Sequence, residues 1–391
     1  MAVSKAYQFM HRVLLITRHF PPLVTGGARR PYLLENGLKT AGISVKVVAP
    51  IIPDDVDGVA APHPSPAPSV GADASGQRRS TVRSFIRTHM FLPDPDIRWS
   101  LRAVKAAQRA RFAPDWIITT SPPESIHIAG RLLASRWRAG WIADFRDNWL
   151  VDPLLPQRHS GVRRKLEQPI AKWALSRADI ISAPSNRMLD EAKSYAPQAK
   201  SLLLPQPSPS PANVNNKGKS NAERTHEFIV LHTGSFSLSH AGRTIAETLS
   251  LFKSAKEQRS NLRLHLIGRL TQDEQELARA IDGVHILGLK TMMETWEAQR
   301  SADLLLLAAA PDTEIVPGKL SEYHASGRPL VVVGGGAWAK TENKGLTPLT
   351  RMLHIIDNQR LDVPKRPIFT AEDAAAALIE ATEGFSPRRS A

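Results

Sequence analysis

"ADLLLLAAAPDTEIVPGKLSEYHASGRPLVVVGGG", residues 302–336, is the stretch on which the fold turns. Residues 304–307 and the alanines after them form a short apolar run of buried-strand type, 319–326 reads as a short helix, and 330–333 as a second buried strand. Gly327 suits the C′ position that ends the helix, and Pro329 bars its continuation. Strand, helix and strand in this order build a parallel sheet with a crossover. Glu314 then sits on a loop at a strand's carboxyl end. Pro317 is placed to open the helix, so Lys319 lies near its N-terminus and Glu322 in its first turns, beside free backbone N–H groups and the positive end of the helix dipole. This arrangement suits a phosphate; it is equally that of a plain joint with two solvated glutamates.

The same alternation continues outward along the whole chain. Strands are expected at 13–16, 45–48, 116–119, 141–143, 180–183 and 202–204, and again at 228–232, 262–267, 284–287, 304–307 and 330–333. Between the two series, "QPSPSPANVNNKGKSNAERT", residues 206–225, is polar and aperiodic, as a linker is. The expected architecture is α/β, with two doubly wound Rossmann-like domains over 1–205 and 226–369. A helix over 370–391, with Thr370 as N-cap and Asp373 completing a capping box, is expected to cross back to the first domain. Residues 50–80, rich in Pro, Ala, Ser and Gly, read as a long mobile loop. The next segment, 81–92, sets Phe85, Ile86, Phe91 and Leu92 among Arg83, Arg87 and His89, which fits either an anionic bilayer surface or packing on its own domain.

Composition narrows the function classes. The 391 residues include no cysteine, which excludes disulfides, Cys-ligated zinc, iron–sulfur clusters and a thiol nucleophile, and fits a reducing compartment. No apolar run reaches the ~18–20 residues of a membrane span, and the first residues lack a signal-peptide core, so a cytoplasmic protein is expected. The net charge of +14 is uneven: Lys and Arg exceed Asp and Glu by 13 over residues 1–205 and by 1 over 206–391. The first half therefore calls for an anionic partner. Nucleic acid is not expected, because that half lacks aromatics interleaved on a recognisable RNA-binding motif. P-loop, G-x-G-x-x-G, H-E-x-x-H and G-x-S-x-G patterns are all missing. "DPD", residues 94–96, is formally a metal–nucleotide D-x-D but reads as solvated loop charge between Pro-containing turns. The histidines show no ligand spacing, and His232, His265 and His285 read as core-edge residues.

Three loops fall at carboxyl ends of expected strands, where open α/β sheets bind ligands. In "RHFPPLVTGGARR", residues 18–30, Gly26 and Gly27 permit close backbone approach, and Arg29 and Arg30 follow; this is a phosphate- or acceptor-facing loop or an ordinary turn. In "ADFRDNW", residues 143–149, Asp144, Arg146 and Asp147 supply either a general base or hydroxyl-orienting group, or a structural Asp–Arg pair. In "LHTGSFSLSHAGRT", residues 231–244, Gly234 and Ser235 lead to a helix expected from about Gly242, with Arg243 in its first turn, a combination able to neutralise a diphosphate.

Together these segments resemble the retaining glycosyltransferases of family 4, which have the GT-B fold. Glu314 and Glu322 form that family's E-x7-E pair, and "VPGKLSEYHASGRPLVV" is similar to its donor-site helix. "ITRHFPPLVTGGARR", "TTSPPESIHIAGRLLA" and "ADFRDNW" are similar to amino-domain segments of members that build bacterial surface polysaccharides. The resemblance runs from residue 13 to about 335. It implies two domains facing across a cleft, a nucleoside-diphosphate sugar as donor, and transfer to a hydroxyl with retention. It also implies that Glu322 holds the nucleotide ribose, Glu314 contacts donor sugar hydroxyls, and Arg243 and Lys319 face the diphosphate. Gly26, Gly27, Gly234 and Ser235 would line the donor site, and Asp144 or Asp147 would stand near the reacting centre. Many members carry a lysine a few residues after the arginine matched by Arg243; "RTIAETL" has none, and Lys319 is expected to supply that charge. With cations on the diphosphate, no metal or other cofactor is expected. The implied acceptor is an anionic glycan or a polyprenyl-diphosphate-linked sugar, with the protein peripheral on the inner membrane face. A GT-B epimerase or phosphorylase and a non-catalytic partner subunit share the donor half and stay open.

Overall fold

The computed structural model describes residues 10–63, 92–150, 161–209, 227–239, 242–311, 317–358 and 368–385. They fall into two compact units, one holding described residues up to Pro207 and again from Phe369, the other the residues from Ser208 to Ile368.

In the first unit the elements are β1 (Arg12–Thr17), a 3-10 turn (Gly26–Ala28), α1 (Arg29–Thr40), β2 (Ser44–Ala49), β3 (Gly58–Ala60), α2 (Ile97–Arg109), β4 (Trp116–Ser121), α3 (Ile126–Trp137), β5 (Gly140–Phe145), α4 (Gly161–Leu175), β6 (Ile180–Ala183), α5 (Asn186–Tyr195) and β7 (Lys200–Leu203). The second holds β8 (Phe228–Thr233), α6 (Ile245–Gln258), β9 (Leu262–Ile267), α7 (Gln272–Arg279), β10 (Val284–Gly288), α8 (Met292–Ser301), β11 (Leu304–Pro311), α9 (Lys319–Ala325), β12 (Leu330–Gly335), α10 (Ala337–Glu342) and α11 (Pro348–Asp357). The last helix, α12 (Ala371–Thr382), belongs to the first unit.

Both sheets are parallel. The strand orders are β3-β2-β1-β4-β5-β6-β7 and β10-β9-β8-β11-β12. The central strands "WIITTS" and "GWIADF" are buried on both faces, as unbroken apolar runs in a parallel sheet must be. Glycines make room for their indoles: a Cβ on Gly130 would stand 2.4 Å from Trp141 Nε1, and one on Gly140 2.6 Å from the Trp116 ring. Trp141 Nε1 then donates to Thr119 Oγ1 at 2.9 Å, so its one polar atom is satisfied. In each sheet the order reverses beside the first strand, between β1 and β4 and between β8 and β11. Ligands bind such sheets in the crevice at the carboxyl ends of those strands.

Two expectations are corrected here. The loop expected over 50–80 contains β3, paired to the edge of β2; Ala61 is buried just after it and accepts a 2.7 Å hydrogen bond from Trp99 Nε1. The free edge of β2 and the Trp99 indole, not local propensity, order these residues. The helix expected from about Gly242 begins instead at Ile245, because Thr244 is extended (φ −106, ψ 148) and stands at the N-cap position, which leaves Arg243 just outside the helix. Among the described residues no helix is long and apolar enough to cross a membrane.

Candidate functional site

In the second unit helices α8 and α9 converge on Thr233, the last residue of β8. Lys319, the first residue of α9, donates from Nζ to Thr233 Oγ1 at 3.2 Å, and Gln299 Nε2 donates to the same oxygen at 3.0 Å. The Thr233 amide donates to the Tyr323 hydroxyl at 2.8 Å, which ties α9 to the end of β8. Gly234 follows with φ +131, and a Cβ there would lie 2.8 Å from Lys319 Cε. Glycine is thus what lets the lysine stem cross the strand end. Ser235 is half-buried beside it. Glu322, one turn beyond Lys319, is only 4% exposed.

His232 lies beneath these cations, stacked on Phe236 with ring centroids 4.3 Å apart, and its Nδ1–H donates to the Leu306 carbonyl at 3.0 Å. Burial first, then the charges of Lys319 and Arg243, lower its pKa to about 3, against the opposing Leu306 hydrogen bond. The ring is neutral, so the positive charge here belongs to Lys319 and Arg243. Burial also lowers the Arg243 pKa, with Tyr323 opposing, but a guanidinium remains protonated in proteins. Glu314 lies outside the described residues, as does segment 81–91.

In the first unit, β1 delivers Arg18 and His19 and β5 delivers Arg146 and Asp147 to the carboxyl edge of the sheet. A Cβ on Gly27 would stand 2.1 Å from Arg146 Nη1, so this glycine gives the guanidinium its place; Gly26 has open space around it. Arg146 donates from Nε and Nη2 to Asp147 Oδ2 at 3.3 and 3.1 Å. Burial first, then the charges of Arg146 and Arg18, lower the His19 pKa to about 3.

Asp144 is elsewhere employed. It is fully buried and receives Arg30 Nε at 2.8 Å, Arg30 Nη2 at 2.7 Å and Ser182 Oγ at 2.7 Å. Arg30 spends its other donors on the carbonyls of Leu204 and Pro205, both at 3.1 Å. Of the two roles the sequence left open for Asp144, this geometry is that of the structural pair, and Arg30 is buried with it instead of facing a ligand. Asp147 is the exposed carboxylate of the loop.

"DPD" is not solvated charge. Asp94 is buried and accepts from Ser125 N at 2.6 Å and Ser125 Oγ at 2.8 Å, bracing the start of α3, while burial raises its pKa. Asp96 meets His63 Nε2 at 2.9 Å and Arg18 Nε at 3.6 Å. Asp96 stands at the N-cap position of α2 but its side chain makes no capping hydrogen bond there, so nothing local in the sequence marked these contacts, nor those of the Thr233–Gln299–Tyr323 hub. Among the described residues no group of three or more His, Asp or Glu could hold a metal ion.

The buried histidines set an acid limit. His127 hydrogen-bonds Thr119 Oγ1 through Nδ1 at 2.9 Å and, like His232, is held by burial at about 3, below its ordinary 6.5. Protonation therefore favours the unfolded chain. Their contribution is whole above about pH 6.5 and is lost as pH falls towards 3. The urea midpoint is expected to drop steadily from pH 7 to pH 4; a flat profile would contradict neutral buried imidazoles.

Residues 25–205 match the family model described as Glycosyl transferase 4-like domain. A comparison with curated protein sequences finds no match. Among solved structures the chain is similar to sucrose-phosphate synthase from Thermosynechococcus elongatus, at 14% identity and a TM-score of 0.55 over 95% of this chain and 94% of that one. It is similar to α,α-trehalose 6-phosphate synthase from Burkholderia multivorans, at 11% identity and 0.53 over 95% of each chain. It is also similar to the S. aureus MnaA–UDP co-structure, at 14% identity and 0.51 over 95% of each. The likeness extends over nearly the whole chain and bears out the expected α/β fold of GT-B type.

Proposed function

We propose that the protein transfers a sugar, with retention, from a nucleoside-diphosphate sugar to a hydroxyl of a glycan or lipid-linked glycan in polysaccharide biosynthesis. The observation that supports this most is the pairing of Lys319 and Arg243 around the carboxyl end of β8, with Gly234 clearing the approach. A diphosphate gains negative charge as it departs, so fixed cations stabilise the transition state more than the ground state. Glu322, and Glu314 with it, would accept hydrogen bonds from ribose and sugar hydroxyls. In the first unit Asp147 and Arg146 are the groups proposed to meet the acceptor. Asp144 acts as a positioning residue, through Arg30. The match of residues 25–205 to a glycosyltransferase domain supports the same reading.

The test is a panel of UDP- and GDP-sugars assayed for release of the nucleoside diphosphate, with the anomeric configuration of the product read by NMR. Isomerised donor in the absence of acceptor would assign an epimerase instead. EDTA is expected to leave the transfer rate nearly unchanged, since the charge neutralisation is assigned to Lys319 and Arg243. Loss of activity restored by Mn²⁺ would show that these cations do not suffice.

A further inference from the structure

Helix α4 carries an apolar ridge on its outer side. Val162, Leu166, Pro169 and Trp173 follow one another at spacings of four, three and four residues, which stacks them on one face over about 16 Å. Val162 is 72% exposed, Leu166 54% and Trp173 47%. The opposite side of the same helix is the packed one, with Glu167, Ala171 and Ala174 buried. Leu132 on the adjoining α3 is exposed as well.

The ridge is flanked by cations. Lys165 and Lys172 lie along one side of it, and Arg131 reaches across from α3 with its guanidinium 4.6 Å from the Trp173 ring centroid. Arg131 donates to the Trp173 carbonyl at 2.8 Å, and Arg177 donates to Ser135 Oγ at 3.0 Å, which joins the two helices. Burial and the like charge of Arg177 both lower the Arg131 pKa. The carboxylate within these two helices, Glu167, is buried beside Arg163. Among the described residues none of Arg131, Lys165, Lys172 and Arg177 is paired with a carboxylate. Such a surface is positive, uncompensated, and crested with aliphatic and indole side chains.

We propose that the α3–α4 face docks the protein on an anionic lipid bilayer, with Trp173, Leu166 and Val162 entering the interface and Lys165, Lys172 and Arg131 meeting the headgroups. Charge complementarity selects this occupant. A second copy would bring two positive faces together, and a nucleic acid would leave the apolar ridge in water. The combination of a Trp and Leu crest with lysines beside it is that of interfacial helices, and the proposal needs neither donor nor acceptor.

The experiment is co-sedimentation of the full chain with pure phosphatidylcholine vesicles and with equimolar phosphatidylglycerol–phosphatidylcholine vesicles, at low and high salt. Binding is expected to the anionic vesicles alone and to weaken with salt. The double variant Lys165→Glu with Lys172→Glu is expected to lower vesicle affinity about tenfold or more, and Trp173→Ala to lower it severalfold, with unchanged circular dichroism melts showing that both fold. Equal recovery on neutral and anionic vesicles overturns the proposal. So does loss of binding in Arg83→Glu with Arg87→Glu while the α4 variants bind normally, which would move the contact to segment 81–92. A dimer by light scattering that Trp173→Ala dissociates would make the ridge a protein interface instead. Turnover on a soluble acceptor, measured in the same variants, stands or falls separately.

Discussion

Replacing Lys319 by alanine is expected to lower kcat by about 10²–10³-fold while changing KM little, the range seen when one preorganised group is removed from a developing negative charge. Arg243→Ala should behave alike. The expectation rests on where the two charges sit: Lys319 is held to Thr233 by a 3.2 Å hydrogen bond and over Gly234, and both cations act on the buried His232. Since Thr233 is also bound by Gln299 and Tyr323, removing the lysine leaves the strand end in place. Stopped assays with the donor that turns over best would measure the effect. An increase in KM alone would assign these residues to ground-state binding.

Asp144→Ala is expected to cost about 3–5 kcal/mol of first-unit stability, because it leaves the buried Arg30 guanidinium without its carboxylate. Tryptophan fluorescence in urea reads this directly, as Trp99, Trp116, Trp141 and Trp149 are all fully buried in that unit. The paired replacement Arg30→Met with Asp144→Leu should recover most of the loss, since an apolar pair removes both charges. A variant Asp144→Ala that is as stable as the parent yet inactive would return Asp144 to the chemistry.

The contrast between these two residues marks what could be read from the chain. The strands were legible because parallel sheets buried on both faces require unbroken apolar runs, and "LLLLAAA" or "WIITT" admit few alternatives. Differences lie at ends, where β11 continues to Pro311. Strand β3 was not legible: three residues in a Pro- and Ala-rich stretch are ordered by partners far away in sequence. At the candidate site, Lys319, Glu322 and Gly234 were marked by their places at a helix start and strand ends. The division of labour in "ADFRDNW" was not. Asp144 binds Ser182, its register partner on the neighbouring strand β6, and Arg30, more than a hundred residues away, and nothing local separates it from Asp147.

Helix α12 carries a consequence for the making of the protein. Its Ala374, Ala375, Leu378 and Ile379 complete the same core layer as Val13, Leu34 and Leu38, and α1 can receive it only because Gly37 offers no side chain: a Cβ there would stand 2.0 Å from the Ala371 carbonyl oxygen. On the ribosome, α1 therefore emerges with an uncovered apolar side and keeps it until residues 371–382 arrive, after the whole second unit has been translated. The amino-terminal unit is begun first and closed last, so a chain halted anywhere before α12 presents chaperones and proteases with an unfinished core.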